Sequence, residues 1–387
     1  MKKIQYFIIT STMLVIMFGY GVAVGHYRWK PFDAIYAIKT MISENFFARQ
    51  QFQGENGILT AAFRDPVVEG PFHHKSINNI NDIFSVNSGI LTPQKDFEKA
   101  IENIKIINAL QIPSLSKFGR IIKIEYRYLN KTYESFAYGD LPKQCDTNSL
   151  GTLIIPGSGL NQSSAIAQND SSNYHRGISE ILKTLNGNVY VLIKPNEDFR
   201  AWHNGKGLKL SGAYIWNWHL NRFGSYSVSY LVESLAFMKW MKGCHSKTIL
   251  MGLSQGGAAV LLNALQSSPS VAIVASGYSV LTELTEESDH NQLIGVPGYA
   301  ALMNPETLRN RLQSASTTWF FSWGKNETGV YKYDAYTATT ASKLSGLKSV
   351  TNVVHEGDHS FPVLEIKTFL RDVPLLSPFI VRDSRAE

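Results

Sequence analysis

The spacing of hydrophobic positions divides the chain into stretches of different kinds. After Met1-Lys2-Lys3 an uncharged run from Ile4 to Gly25, rich in Ile, Val, Met and Phe, is long enough to cross a hydrocarbon core as a helix. Pro31 to Phe46 places Phe32, Ile35, Ile38, Ile42 and Phe46 at helical spacing, which predicts an amphipathic helix. Phe52 to Gly89 is rich in Gly, Asn and Pro and predicts irregular chain. Thr92-Pro93 then opens a further predicted helix, with Phe97, Ile101, Ile104 and Ile107 on one face. Residues 26–118 are therefore expected to form an N-terminal extension that packs on the main domain.

From Arg120 the period becomes two. Ile122, Ile124, Tyr126 and Tyr128 alternate with Lys123, Glu125 and Arg127, the mark of a half-exposed strand, and Tyr133 to Tyr138 answers it across a short turn. Short apolar strands then alternate with helical stretches: Thr152–Ile155, Val189–Ile193, Thr248–Met251, Val271–Ala275, Trp319–Ser322 and Ser349–Val354. Continuous apolar runs of this kind belong to parallel strands covered on both faces, and the intervening helices supply the crossovers. The prediction for residues 119–387 is an α/β domain with an antiparallel hairpin leading into a mostly parallel sheet.

Composition narrows the function classes. With 44% hydrophobic and 18% charged residues in 387, the chain can build a large core. The net charge of +6 suits an acidic glycan or a membrane surface, but the 37 Lys and Arg are scattered without a stripe, which argues against nucleic acid. Two cysteines, Cys145 and Cys244, exclude a disulfide scaffold and a cysteine-rich zinc site. The pair His73-His74 stands without HExxH or another metal spacing, so no metal is expected. Ala23-Val24-Gly25 offers a small-residue cleavage site, so the first 25 residues are either an uncleaved transmembrane anchor, the preferred reading, or a signal peptide. Lys2 and Lys3 are balanced by Arg28, Lys30 and Lys39 on the other side, so the positive-inside rule does not orient the segment. Both readings place the rest of the chain outside the cytoplasm, anchored in one case and secreted in the other.

Four segments carry candidate chemistry. Gly252-Leu253-Ser254-Gln255-Gly256-Gly257 fits G-x-S-x-G, preceded by the apolar strand Lys247–Met251 and followed by the helical start Ala258–Leu262. A serine held on a sharp strand-to-helix turn needs small neighbours, because bulk on either side would strike the sheet or the helix. Upstream, Leu153-Ile154-Ile155-Pro156-Gly157-Ser158-Gly159-Leu160-Asn161 runs from a strand into a glycine loop able to aim a backbone N–H at a developing oxyanion, with the Gln255 N–H as second donor. No Gly-Lys-Ser/Thr or G-x-G-x-x-G follows, which disfavours a nucleotide site. Downstream, Val353-Val354-His355-Glu356-Gly357-Asp358-His359 leaves a strand for a loop, where a base must sit; His359 is the candidate and His355, at the strand end, reads as structural. Glu327 is the first carboxylate after the strand Trp319–Ser322 and the candidate acid, with Asp334 as the alternative.

These motifs, in this order, resemble the α/β-hydrolase superfamily over roughly residues 120–372. The double glycine Gly256-Gly257 is similar to the dienelactone hydrolase, prolyl oligopeptidase and acetyl xylan esterase branches. The resemblance implies an eight-stranded sheet, no cofactor, and a Ser254–His359–Glu327 triad with oxyanion donors on the N–H groups of Ser158 and Gln255. The chain departs from the family in having Pro156-Gly157 where His-Gly is frequent, and Glu where Asp is usual. In such a fold Cys145 and Cys244 precede neighbouring strands at the sheet end opposite the site, where a disulfide could join them in an exported domain. The implied activity is carboxylic-ester hydrolysis, with a peptidase, an acyltransferase or a non-catalytic binding protein on the same fold as alternatives. Trp202, His203, Tyr214, Trp216, Trp218 and His219 crowd one stretch. Their flat faces suit sugar rings or an acyl pocket, so Trp202, Trp216 and Trp218 are candidate substrate contacts for a glycan or other cell-envelope ester. The polar insert Ser279–Ser316 is a candidate cap.

Overall fold

The computed structural model describes residues 101–381 apart from 112–119, 129–130, 142–144, 160, 170–172, 196, 198–225 and 279–302. The apolar N-terminal run, the first predicted amphipathic helix, the aromatic stretch 202–219 and most of the insert therefore lie outside the described residues. Within them, no helix is long and apolar enough to cross a membrane.

Among the described residues nine strands form one mixed sheet: β1 (Ile101–Gln111), β2 (Arg120–Tyr128), β3 (Lys131–Gly139), β4 (Asp146–Ile155), β5 (Asn188–Ile193), β6 (His245–Leu253), β7 (Val271–Ala275), β8 (Thr318–Gly324) and β9 (Val350–His355). Their spatial order is β1-β2-β3-β5-β4-β6-β7-β8-β9. The pairings from β1 to β5 are antiparallel, and those from β5 to β9 are parallel. Helices cover both sides of the sheet. They are α1 (Gln162–Gln168), α2 (Ile178–Leu182), α3 (Tyr226–Cys244), α4 (Gln255–Ser267), α5 (Pro305–Ser314), α6 (Ala335–Leu344) and α7 (Val363–Asp372). Of the strands that read as apolar runs, β7 is buried at every residue, whereas β9 lies at the sheet edge with Thr351 exposed. Helix α4 is buried from Gln255 through Ala264, whereas α7 buries only the stripe Ile366, Phe369 and Leu370. A helix apolar all round sits inside the layer, and one with a stripe caps it.

Two expectations need correction. The sheet has nine strands rather than eight, and the extra one is β1, in a segment whose Ile101, Ile104 and Ile107 spacing predicted a helix. The reason is a pair of register shifts, between Glu102 and Lys105 and between Ile106 and Asn108, with Asn103 at φ 52. Each bulge adds a residue to the alternation, so a period of two imitates a spacing of three. The sheet thus begins inside the stretch assigned to the N-terminal extension. Of the insert Ser279–Ser316, residues 303–316 are described, and there α5 buries Leu308 and Leu312 in the main core. That part is body of the domain rather than cap.

Cys145 and Cys244 form a disulfide with Cα atoms 4.1 Å apart. They immediately precede β4 and β6 in a register where Asp146 faces His245. The bond therefore ties the N-terminal ends of the two strands that carry the glycine loop and the Ser254 turn at their other ends.

Candidate active site

The site builds on the loops that leave the C-terminal ends of the parallel strands. Ser254 follows β6 and precedes α4 at φ 63, ψ −133, a conformation that costs a non-glycine residue strain and is held by its surroundings. Its N–H donates to Ala275 O at 3.0 Å and its carbonyl accepts from Ala258 N–H at 3.0 Å. The flanking glycines are required by close approach. A Cβ on Gly256 would overlap the carbonyl oxygen of Ile155, and one on Gly252 would lie 2.5 Å from the Gly256 carbonyl. Gln255 opens α4, where first-turn N–H groups have no partner within the helix.

The loops after β8 and β9 are zipped together beyond their strands. Lys325 N–H donates to His355 O at 2.8 Å, Asn326 N–H to Gly357 O at 3.1 Å, and Asn326 Nδ2 to Glu356 O at 2.7 Å. This places Glu327 beside His359, with Nδ1 and Oε1 2.5 Å apart. The other carboxylate oxygen accepts from Ser276 Oγ at 2.7 Å and from Gly324 N–H at 3.4 Å. The Glu327 side chain is fully buried and the His359 side chain is 34% exposed, so one face of the pair is open to solvent. Burying a carboxylate is tolerable here because three donors surround it. The rings of Tyr174 and Tyr331 lie near-parallel to the imidazole, with centroids at 5.6 and 6.1 Å. Among the described residues the imidazole makes its bond to Glu327 and none to the Ser254 hydroxyl.

Asp334, the alternative acid, is the N-cap of α6, accepting from Tyr336 N–H at 3.0 Å and Thr337 N–H at 2.9 Å. His355 is buried; its Nδ1 accepts from Gly357 N–H at 3.1 Å, and burial lowers its pKa. Ser158 sits in the loop after β4, on the same side of the sheet as Ser254, Gln255, Glu327 and His359. Trp202, Trp216 and Trp218 lie outside the described residues.

Four contributors escape a reading of the sequence: Ser276, Tyr174, His175 and Lys194. All surround the loops rather than form the motifs. His175 is 3% exposed, its Nε2 accepts from Gly157 N–H at 2.9 Å, and its Nδ1 lies 2.8 Å from Asn173 Oδ1, which sets the tautomer with the proton on Nδ1. Burial above all, aided by Lys194 and His359, lowers its pKa from 6.5 to about 3. The fold thus favours neutral His175, and the resulting stability is complete above pH 6.5 and lost as pH falls toward 3. We expect this group to steepen the fall in unfolding free energy by up to about 1.4 kcal/mol per pH unit between about pH 6 and 4. His175→Gln, which keeps an acceptor for Gly157, should flatten that slope in urea titrations; an unchanged slope would show that His175 protonates without cost.

The antiparallel lead-in, the parallel sheet, and a strained serine between β6 and α4 define the architecture. The fold is α/β-hydrolase-like. No family model matches the sequence, and no curated protein does. Solved structures do. A proposed acetyl xylan esterase from Bacteroides fragilis is 13% identical, with 80% of this chain and 83% of that one covered and a TM-score of 0.45. A peroxisomal alpha-beta-hydrolase from Saccharomyces cerevisiae is 10% identical, over 74% and 92%, at 0.41. An S-formylglutathione hydrolase from Agrobacterium tumefaciens is 15% identical, over 69% and 96%, at 0.39.

Proposed function

We propose that the protein is a serine hydrolase of carboxylic esters, with Ser254 as nucleophile, His359 as base and Glu327 as the acid that orients it. The observation that carries this reading is the buried Glu327 carboxylate on His359 Nδ1, at the same C-terminal end of the parallel strands as a serine in strained backbone. With Nδ1–H bound to the carboxylate, Nε2 is left with its lone pair and can take the hydroxyl proton as Ser254 Oγ attacks the acyl carbon. The N–H groups of Ser158 and Gln255 receive the oxyanion. Collapse expels the alcohol, protonated by the imidazolium, and leaves an acyl-serine. Water, deprotonated by the same imidazole, then attacks the acyl carbon, and the imidazolium returns the proton to Ser254 Oγ as the acyl–Oγ bond breaks and the acid leaves.

The proposal extends to place and substrate. The run Ile4–Gly25 would anchor the chain in a membrane with the hydrolase domain exported, to which the Cys145–Cys244 bond adds support, since disulfides persist in oxidising compartments. Trp202, Trp216 and Trp218 would contact an acylated glycan or another cell-envelope ester. Labelling with a fluorophosphonate, followed by parallel turnover of short acyl esters, acylated saccharides and peptide amides, tests the reaction. Attachment at Ser254 with ester turnover well above amide turnover is expected. A label on another serine, or amide cleavage alone, would overturn it. The labelled band also reports location: it should pellet with membranes through salt and carbonate washes, and a mature N-terminus at His26 would instead show a cleaved signal.

A further inference from the structure

Lys194, the residue after β5, is 0% exposed, an unusual place for an ammonium. Its Nζ donates to the carbonyls of Gly157 at 2.6 Å and Gly159 at 2.5 Å, two residues of the loop after β4. Two further side chains hold the same loop by its carbonyls: the Tyr230 hydroxyl on Pro156 and the Tyr174 hydroxyl on Ser158, the latter at 2.8 Å. Four successive carbonyls, Pro156 to Gly159, are therefore each fixed by a side chain from elsewhere in the fold. The Gly157 N–H is spent on His175, so it is not available to a substrate.

In a trans peptide the carbonyl of one residue and the N–H of the next point in opposite directions. Holding the Gly157 carbonyl on Lys194 therefore turns the Ser158 N–H away from the lysine. A leucine or methionine could occupy the space at lower desolvation cost, and buried charges are often replaceable by apolar groups without loss of stability. What the ammonium adds is a simultaneous hold on two carbonyls. Glu197, 1% exposed, keeps the group charged, and its carboxylate in turn accepts from Ser163 N–H at 3.1 Å and Ser163 Oγ at 2.9 Å. Burial lowers the lysine's pKa only to about 8, so it remains protonated at neutral pH.

We propose that Lys194 is a positioning residue for the hydrolysis, its ammonium fixing the Gly157–Ser158 peptide so that the Ser158 N–H faces the oxyanion. The inference rests on the serine-hydrolase reading above. Its test is Lys194→Met in the full-length protein, with Lys194→Met/Glu197→Gln as a second variant that leaves no uncompensated buried carboxylate. On a short acyl ester, kcat should fall about 10²-fold while KM moves less than about threefold. Affinity for a trifluoromethyl ketone, which forms a tetrahedral oxyanion on the serine, should fall in step with kcat. A merely structural lysine would not produce that parallel at an unchanged thermal transition. Turnover within about threefold of wild type, a loss confined to KM, or undiminished ketone affinity would overturn the proposal. Failure of both variants to fold would assign the lysine to stability and overturn it as well. Wild-type protein that neither labels at Ser254 nor hydrolyses esters would instead sink the parent reading, whatever the lysine variants do.

Discussion

Replacing Ser254 by alanine is expected to lower ester turnover by about 10⁵- to 10⁶-fold while the protein remains folded. The size follows from the loss of the proposed nucleophile, so that what would remain is the residual effect of oxyanion donors and binding. The fold should survive because the main chain does the structural work at this turn. The bonds from Ser254 N–H to Ala275 O and from Ala258 N–H to Ser254 O need no hydroxyl. Alanine leaves no buried donor or acceptor orphaned, since the hydroxyl makes no hydrogen bond among the described residues. The φ of 63 strains alanine no more than serine. Turnover on a short acyl ester, fluorophosphonate labelling and the thermal transition together check the expectation. Ordinary turnover in the alanine variant would end the assignment of Ser254, and a collapsed transition would show that the hydroxyl holds the turn.

What can be read along the chain and what cannot divides by the range of the interaction. The central strands announce themselves because a strand covered on both faces must be apolar where it is buried, as β7 is throughout and β6 is from Ile249 to Leu253. The turn at Ser254 is legible through its glycines, of which Gly252 answers a clash inside the turn with Gly256, whereas Gly256 makes room for the Ile155 carbonyl at the end of β4. Glu327 can be picked out because the acid must follow a particular strand, and Asp334 stands as rival because loop length is not encoded in a period. Only three-dimensional placement separates them, one against the imidazole and the other at a helix cap. β1 reads as a helix because bulges disguise a period of two. Lys194, Tyr174 and His175 leave no signal that a linear pattern could carry. Lys194 simply closes an apolar strand, and its contacts to Gly157 and Gly159 span 37 and 35 residues of sequence.

The second large effect concerns the acid. Glu327→Gln is expected to lower turnover about 10³- to 10⁴-fold, whereas Asp334→Asn should change it less than about twofold. The reason lies in how many donors each carboxylate oxygen meets. Oε2 accepts from Ser276 Oγ and from the Gly324 N–H, and a backbone N–H cannot reverse its role. Among the described residues Oε1 meets His359 Nδ1 alone. A glutamine in the same place satisfies more partners by turning its oxygen toward Ser276 and Gly324, which leaves the NH₂ facing the imidazole. Nδ1 must then accept, the ring proton moves to Nε2, and the nitrogen that should take the Ser254 proton is already occupied. The opposite amide orientation keeps the tautomer but sets an NH₂ against the Gly324 N–H, and it removes the negative charge that stabilises the imidazolium. Either way the base fails while the packing is nearly unchanged. Asp334 accepts from Tyr336 and Thr337 N–H groups at the start of α6, and asparagine caps a helix about as well as aspartate. Parallel measurement of kcat/KM for the two variants on one ester decides the point, and the reverse ranking would move the acid's role to Asp334.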